Sequence, residues 1–191
     1  MKPHPEGGHY AETYRSPESA PVPWSGNSPR NFSTSIYFLL QKGEFSAWHR
    51  LRSDEMWHHY EGRDVTIHVI DPSSGQLSSY LLGRVKRGGR PQVLIPRNVY
   101  FCAEVERGFS LVGCTVTPGF DFADFEMPKR EFLIGLFPEH EKMIEKFTRA
   151  WGWWKKNILL DNWNSKLKLL KKQLFIFVFD SKIIICVLFS K

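Results

Sequence analysis

The sequence predicts an all-β fold, an antiparallel barrel or jelly roll closed by a C-terminal helix, and three observations carry that prediction. Short runs rich in aromatic and β-branched residues recur at 33–40, 49–52, 55–60, 65–70, 76–82, 92–95, 99–106 and 109–116, the composition and length of strands. Turn residues stand between them: Lys42-Gly43, Glu61-Gly62, Asp71 to Gly75, Arg87 to Pro91, Pro96 to Asn98 and Arg107-Gly108, each with the Gly, Pro or Asn that a chain reversal needs. No helical apolar period interrupts the run, so the strands pair antiparallel and close on themselves. Only at Pro138 does a helix open, with Met143, Ile144, Phe147 and Trp151 on one face and Glu139, Glu141, Lys142 and Glu145 on the other. Proline suits a first helical turn, and the apolar face is expected to pack across the outside of the barrel.

The 191 residues with 42% hydrophobic content suit one domain with a sizeable core. The formal net charge of +6 hints at nucleic acid until the charges are placed along the chain. Residues 1–151 carry 18 Lys/Arg against 18 Asp/Glu, and after Gly152 eight Lys face two Asp. The body is balanced and offers no electrostatic footprint for a phosphate backbone, so no nucleic-acid partner is expected. Residues 1–151 are read as a single domain and 152–191 as an atypical tail rich in Lys, Phe and Ile that is not part of the fold. Its apolar blocks are split by Asp180, Ser181 and Lys182, too short for the roughly eighteen residues of a membrane span, so no membrane partner is expected. Cys102, Cys114 and Cys186 show no CxxC spacing, and the N-terminus MKPHPEGGHY is polar. The expectation is a reduced, cytoplasmic protein whose cysteines are apolar packing.

Chemistry concentrates between Gly43 and Gly62. His49, Leu51 and Glu55 follow Gly43 at the spacing G-x5-HxH-x3-E-x6-G, with Leu51 in place of the second histidine. Residues two apart on a strand share a face, so His49 and Leu51 point inward together and Glu55 returns on the next strand. A second cluster, from Gly89 through Pro96, Asn98 and Phe101 to Val105, follows the pattern G-x5-PxG-x2-H-x3-N loosely. Asn98 replaces a glycine and retains access to positive φ, whereas Phe101 stands where a histidine would.

These are the two cupin motifs, and with HPEGG at 4–8, ETYRS at 12–16, HRLRSDEMWHHYEG at 49–62 and TPGFDFADFE at 117–126 the chain resembles the fifth cupin family, a former domain of unknown function. The resemblance implies a double-stranded β-helix, a relationship to dTDP-sugar epimerase-like cupins, and a homodimer. It implies a small-molecule ligand in the barrel cavity: a nucleotide, nucleotide sugar or sugar phosphate. Four metal donors are usual in such barrels, and here Leu51 and Phe101 hold two of the positions, so no cofactor is required. The surviving chemistry is acid–base, with His49 as base, Glu55 orienting its ring and Tyr100 as acid, Tyr60 and Tyr10 being alternatives. The other reading is a divalent-metal enzyme using His49, Glu55 and His58 or His59.

Trp57 and His59 share a face with Glu55 if that strand is regular, while Met56, His58 and Tyr60 face away. Trp57, His58 and His59 are therefore all pocket candidates. Trp48 is either core or an aromatic wall, and Phe101 is expected at the cavity. Glu6 with Gly7-Gly8 either closes one side of the cavity or forms a tight turn ahead of a strand over 9–15. Asp121, Asp124 and Glu126 are expected to cap a turn or pair with Arg15, Arg50 or Arg52. Two function classes stay open, a sugar epimerase or isomerase and a module that binds without turnover.

Overall fold

The computed structural model describes residues 1–149 and two strands of the tail, Leu174–Phe179 and Lys182–Val187. In chain order the first part comprises β1 (Lys2–Pro3), β2 (His9–Arg15), β3 (Ser19–Pro21), β4 (Pro29–Asn31), β5 (Thr34–Gln41), β6 (Phe45–Leu51), β7 (Asp54–Gly62), β8 (Val65–Ile70), β9 (Leu77–Leu82), β10 (Gln92–Ile95), β11 (Tyr100–Glu104), β12 (Phe109–Thr117), β13 (Phe125–Glu126), α1 (Arg130–Leu136) and α2 (Glu141–Lys146). Six strands in the order β1-β2-β5-β12-β7-β10 make one sheet, and β13-β6-β11-β8-β9 make the other. All pairings within them are antiparallel.

Alternation along the strands explains why the sheets face each other. Phe38 and Leu40 of β5, Trp57 of β7, Ile67 and Val69 of β8 and Phe101 of β11 bury one face of each strand in a shared core. This is a jelly roll. The opposite face of the five-stranded sheet carries a second apolar layer, in which Trp48 of β6, Ile70 of β8 and Tyr100 and Cys102 of β11 meet Leu133 of α1, Phe137, Ile144 of α2 and Phe147. The helix expected after Pro138 is there, preceded by a 3-10 turn over Pro138–His140. The sequence reading did not anticipate α1, whose only buried residue is Leu133. Trp151, assigned to the helix face, lies outside the described residues.

Two reversals follow their residue chemistry. Asn98 adopts φ 66° between β10 and β11, the left-handed conformation that Asn tolerates. Gly8, at φ +64°, lies against the Leu39 carbonyl and the Leu40 side chain, so the turn before β2 approaches β5 more closely than a side chain would allow.

The chain divides into compact units at Met1–Arg149 and Ala150–Lys191. In the second, Leu174–Phe179 pairs antiparallel with Lys182–Val187; whether the tail as a whole stays outside the fold lies outside the described residues. Among those residues no helix is long and apolar enough to cross a membrane.

Candidate active site

β6 and β7 belong to different sheets, so the motif residues approach one cavity from opposite walls. His49 and Leu51 face inward from β6 and Glu55 from β7. The cavity measures about 270 Å³, on the scale of a small organic ligand. Buried groups form its floor: His4, Glu6, His49 and Glu55 are each 7% exposed or less. Half-exposed Glu12, Arg15 and Phe122 stand nearer its mouth.

The carboxylate beside His49 is Glu6, which corrects the expectation that Glu55 orients the ring. Glu6 Oε2 lies 3.4 Å from His49 Nε2 and 3.2 Å from His4 Nδ1, and Ser46 Oγ donates to Glu6 Oε1 at 3.1 Å. The HPEGG turn delivers Glu6 here because the Ala47 N–H of β6 donates to the Glu6 carbonyl at 2.8 Å. Glu6 thus lines the cavity while the same segment makes the tight turn ahead of β2, so the two placements expected for it occur together. His4 was not singled out from the sequence; its place two residues before Glu6 was the available signal. Its ring packs edge-on against Tyr10 and Phe125, with centroids 4.8 and 5.6 Å away.

His49 Nδ1 sits 2.7 Å from the Ala47 carbonyl, so Nδ1 carries the hydrogen and Nε2 is the nitrogen left for chemistry. Burial pushes the imidazole below its usual value, against the attraction of Glu6, so the ring is neutral near pH 7. Burial alone would raise Glu6, but His49 and His4 together with the hydrogen bonds from His4 and Ser46 outweigh it and hold the carboxylate at about 2. Glu55 goes the other way. Burial, reinforced by the negative charge of Glu6, drives it up to about 8 against the opposing hydrogen bonds of the Cys114 thiol and Trp57 indole. It therefore keeps its proton at neutral pH, and its Oε2 has no hydrogen-bond partner.

Several sequence candidates lie elsewhere. Tyr100, the expected acid, is on the opposite face of β11 from the neighbouring Phe101, where it meets Phe137 and the Arg50 guanidinium. Trp48 is likewise turned away from His49 by strand alternation and donates its indole N–H to the Met143 carbonyl. His58 faces outward from β7, its Nε2 on Thr115 Oγ1 and its Nδ1 on Gln92. His59 donates from Nε2 to the Arg63 carbonyl. Trp57 shares the inward face with Glu55 but packs on Phe38 in the core. Phe101 packs on the His49 ring from the core, the centroids 3.9 Å apart, and does not line the cavity where it was expected. Tyr60 is exposed, whereas Tyr10 lines the cavity.

The acidic run over 117–126 frames the mouth. Asp121 caps a turn by accepting from the Ala123 N–H at 2.8 Å, and Glu126 takes Arg50 Nε at 2.8 Å. Asp124 pairs with Arg30 rather than with the expected arginines, through contacts of 2.6 and 3.1 Å. The anchored segment places Phe120, Phe122 and Phe125 against the cavity.

Two facing antiparallel sheets, a jelly-roll core and an inward His/Glu pair at motif spacing define a cupin. A family model described as "Cupin superfamily (DUF985)" matches residues 1–128, and the chain belongs to that family. It is 32% identical over 143 residues to an uncharacterized protein of Saccharomyces cerevisiae, covering 67% of this chain and 70% of that one. A hypothetical protein from Leishmania major superposes with a TM-score of 0.71 at 36% identity, over 78% of this chain and 93% of its own. A protein from Shewanella oneidensis gives 0.70 at 42% identity, over 78% and 91%.

The metal that cupin motifs imply was tested against the donors present. Leu51 puts hydrocarbon into the cavity, Phe101 packs on the His49 ring, and His58 and His59 point away from it. Among the described residues no group of three or more His, Cys, Asp or Glu could hold a metal ion. The predicted set of His49, Glu55 and His58 therefore does not fit a transition metal held by three protein donors.

Proposed function

We propose that this protein binds a small sugar derivative in the cavity and moves a proton on it by metal-independent acid–base chemistry, with His49 as base and Glu55 as acid. The observation that carries this reading is an imidazole and a carboxyl lining one cavity from opposite walls, with burial pushing the imidazole down and the carboxyl up to about 8. Groups whose environments separate their protonation behaviour are how a site assigns acid and base roles. Glu55 takes the acid role first assigned to Tyr100, and Glu6 takes the orienting role first assigned to Glu55.

In the step itself, His49 Nε2 accepts the proton from a carbon next to a carbonyl. The C–H electron pair moves into the new carbon–carbon double bond, and the carbonyl oxygen takes the proton of Glu55. The imidazolium then donates Nε2–H to Glu6 Oε2, the anion already beside it. Return of the proton to the opposite face, once the enol has turned over, gives an epimer; where the first carbon bears a hydroxyl, that hydroxyl loses its proton to the Glu55 carboxylate as the neighbouring carbon takes the proton from His49, which gives an isomer.

The test is proton NMR of sugars, sugar phosphates and nucleotide sugars in D₂O with the protein and a chelator present. A substrate should lose a carbon-bound proton signal, and His49→Ala and Glu55→Gln should each slow that exchange by roughly 10²–10⁴. Saturable binding with no exchange in any compound would replace catalysis with the binding-module reading.

A further inference from the structure

The ligands implied by the resemblance are mostly phosphorylated, and the cavity's charges are arranged against them. At the floor, a ligand group that reaches His49 or Glu55 must also lie beside Glu6, a buried carboxylate whose hydrogen bonds come from uncharged Ser46 and from imidazole. At the rim stand two further carboxylates, Glu12 and Asp121.

The arginine of the lining, Arg15, has four of its five N–H groups engaged. Its Nε and Nη2 reach the two oxygens of Glu12 at 3.2 and 2.7 Å, and its Nη1 donates to Asn31 Oδ1 at 2.8 Å and to the Phe120 carbonyl at 3.2 Å. A phosphate would have to displace a bidentate carboxylate to use it. Lys2, which does not line the cavity, lies over the Tyr10 ring with its Nζ 5.0 Å from the centroid.

Two features say what the cavity accepts instead. Glu55 lines it from β7, and a carboxyl there suits a hydroxyl or carbonyl. Phe120, Phe122 and Phe125 meet edge-to-face at centroid separations of 5.0 to 6.1 Å. Their ring faces carry partial negative charge that attracts C–H edges and cations and repels anions.

We propose that the cavity selects a ligand bearing no anionic group, an unphosphorylated sugar or its amine-bearing counterpart, and excludes phosphate esters, nucleotides and carboxylates. The sugar class rests on the proposed function; the charge preference rests on the residues above.

Neither measurement needs turnover, so the proposal can fail while proton transfer stands, and the reverse. Phe122 is 53% exposed at the mouth, and Phe122→Cys in the full chain places a reactive thiol there. Cys186→Ser removes the tail thiol and Cys114→Ser the thiol that lines the cavity, while Cys102 is buried with its thiol pushed well up by that burial and reacts slowly. The thiol is labelled with trimethylammonioethyl and with sulfonatoethyl methanethiosulfonate, and each rate is divided by that of free 2-mercaptoethanol. The normalised cation-to-anion ratio is expected to be about fivefold or more at low salt, falling towards one in molar salt, and to shrink in Glu12→Gln. A ratio at or below one overturns the proposal. A second measurement compares thermal stabilisation of the unsubstituted protein by glucose, glucosamine and glucose 6-phosphate; stabilisation by the phosphate beyond that by the other two overturns it whatever the labelling gives.

Discussion

Replacing Glu55 with glutamine removes a carboxyl whose ionisation should penalise this fold at neutral pH. The fully buried carboxyl is raised from its ordinary 4.5 to about 8, so the folded state keeps a proton that the unfolded chain releases above about 4.5. Its stabilising effect is complete below that pH and is lost as pH rises towards 8. The slope is about 1.4 kcal/mol per pH unit in that window, or about 3 kcal/mol between pH 5 and pH 7. Glutamine keeps the shape and cannot ionise. Histidines contribute the opposite slope in both proteins, because burial lowers His49, His58 and His68, and they cancel in the difference. Urea unfolding from pH 5 to pH 7 should therefore show Glu55→Gln gaining about 3 kcal/mol relative to the unsubstituted protein as pH rises. Parallel curves would mean that Glu55 ionises freely, and its assignment as the acid would fail.

Glu6 has the reverse linkage. Its carboxyl is lowered from 4.5 to about 2, so it stabilises the fold above about pH 4.5 and loses that effect as pH falls towards 2; Glu6→Gln should be less stable at pH 6, with a flatter acid limb in thermal unfolding. Arg30→Ala strands Asp124, whose side chain is 7% exposed, and should cost about 3–5 kcal/mol by chemical denaturation, with Asp124→Asn in the same chain recovering part of it. Gly8→Ala forces a Cβ towards the Leu39 carbonyl at positive φ and should cost about 2 kcal/mol or more, read as a lowered unfolding midpoint. Substituting Tyr100 by phenylalanine should leave proton exchange unchanged in the NMR assay, because its hydroxyl lies outside the cavity.

The eight expected strands all form because each couples β-forming residues to a turn residue that fixes where it reverses, and both signals are local. Strand alternation sends His49, Leu51 and Glu55 inward, and it puts Trp48, a pocket candidate by its place beside His49, on the other face of β6. What local pattern could not supply is which carboxylate meets His49. Glu55 was favoured by its place in the motif, yet β6 and β7 lie in different sheets, and the partner arrives from 43 residues upstream through a backbone bond between Glu6 and Ala47. Tyr100 was misplaced for a related reason: Phe101 takes the inward position on β11, and the adjacent residue must face the helices. The helix α1 escaped notice because a seven-residue segment that buries only Leu133 shows no apolar period.

The central claim is that Glu55 holds a proton at neutral pH inside the cavity that His49 shares. Isotope-edited infrared spectroscopy of protein labelled at glutamate carboxyl carbons tests it directly, since a protonated carboxyl and a carboxylate absorb in separate regions. The account predicts a protonated carboxyl band at pH 7 that is absent from Glu55→Gln and titrates near pH 8. Carboxylate absorption alone at pH 7, identical in the two proteins, would contradict it.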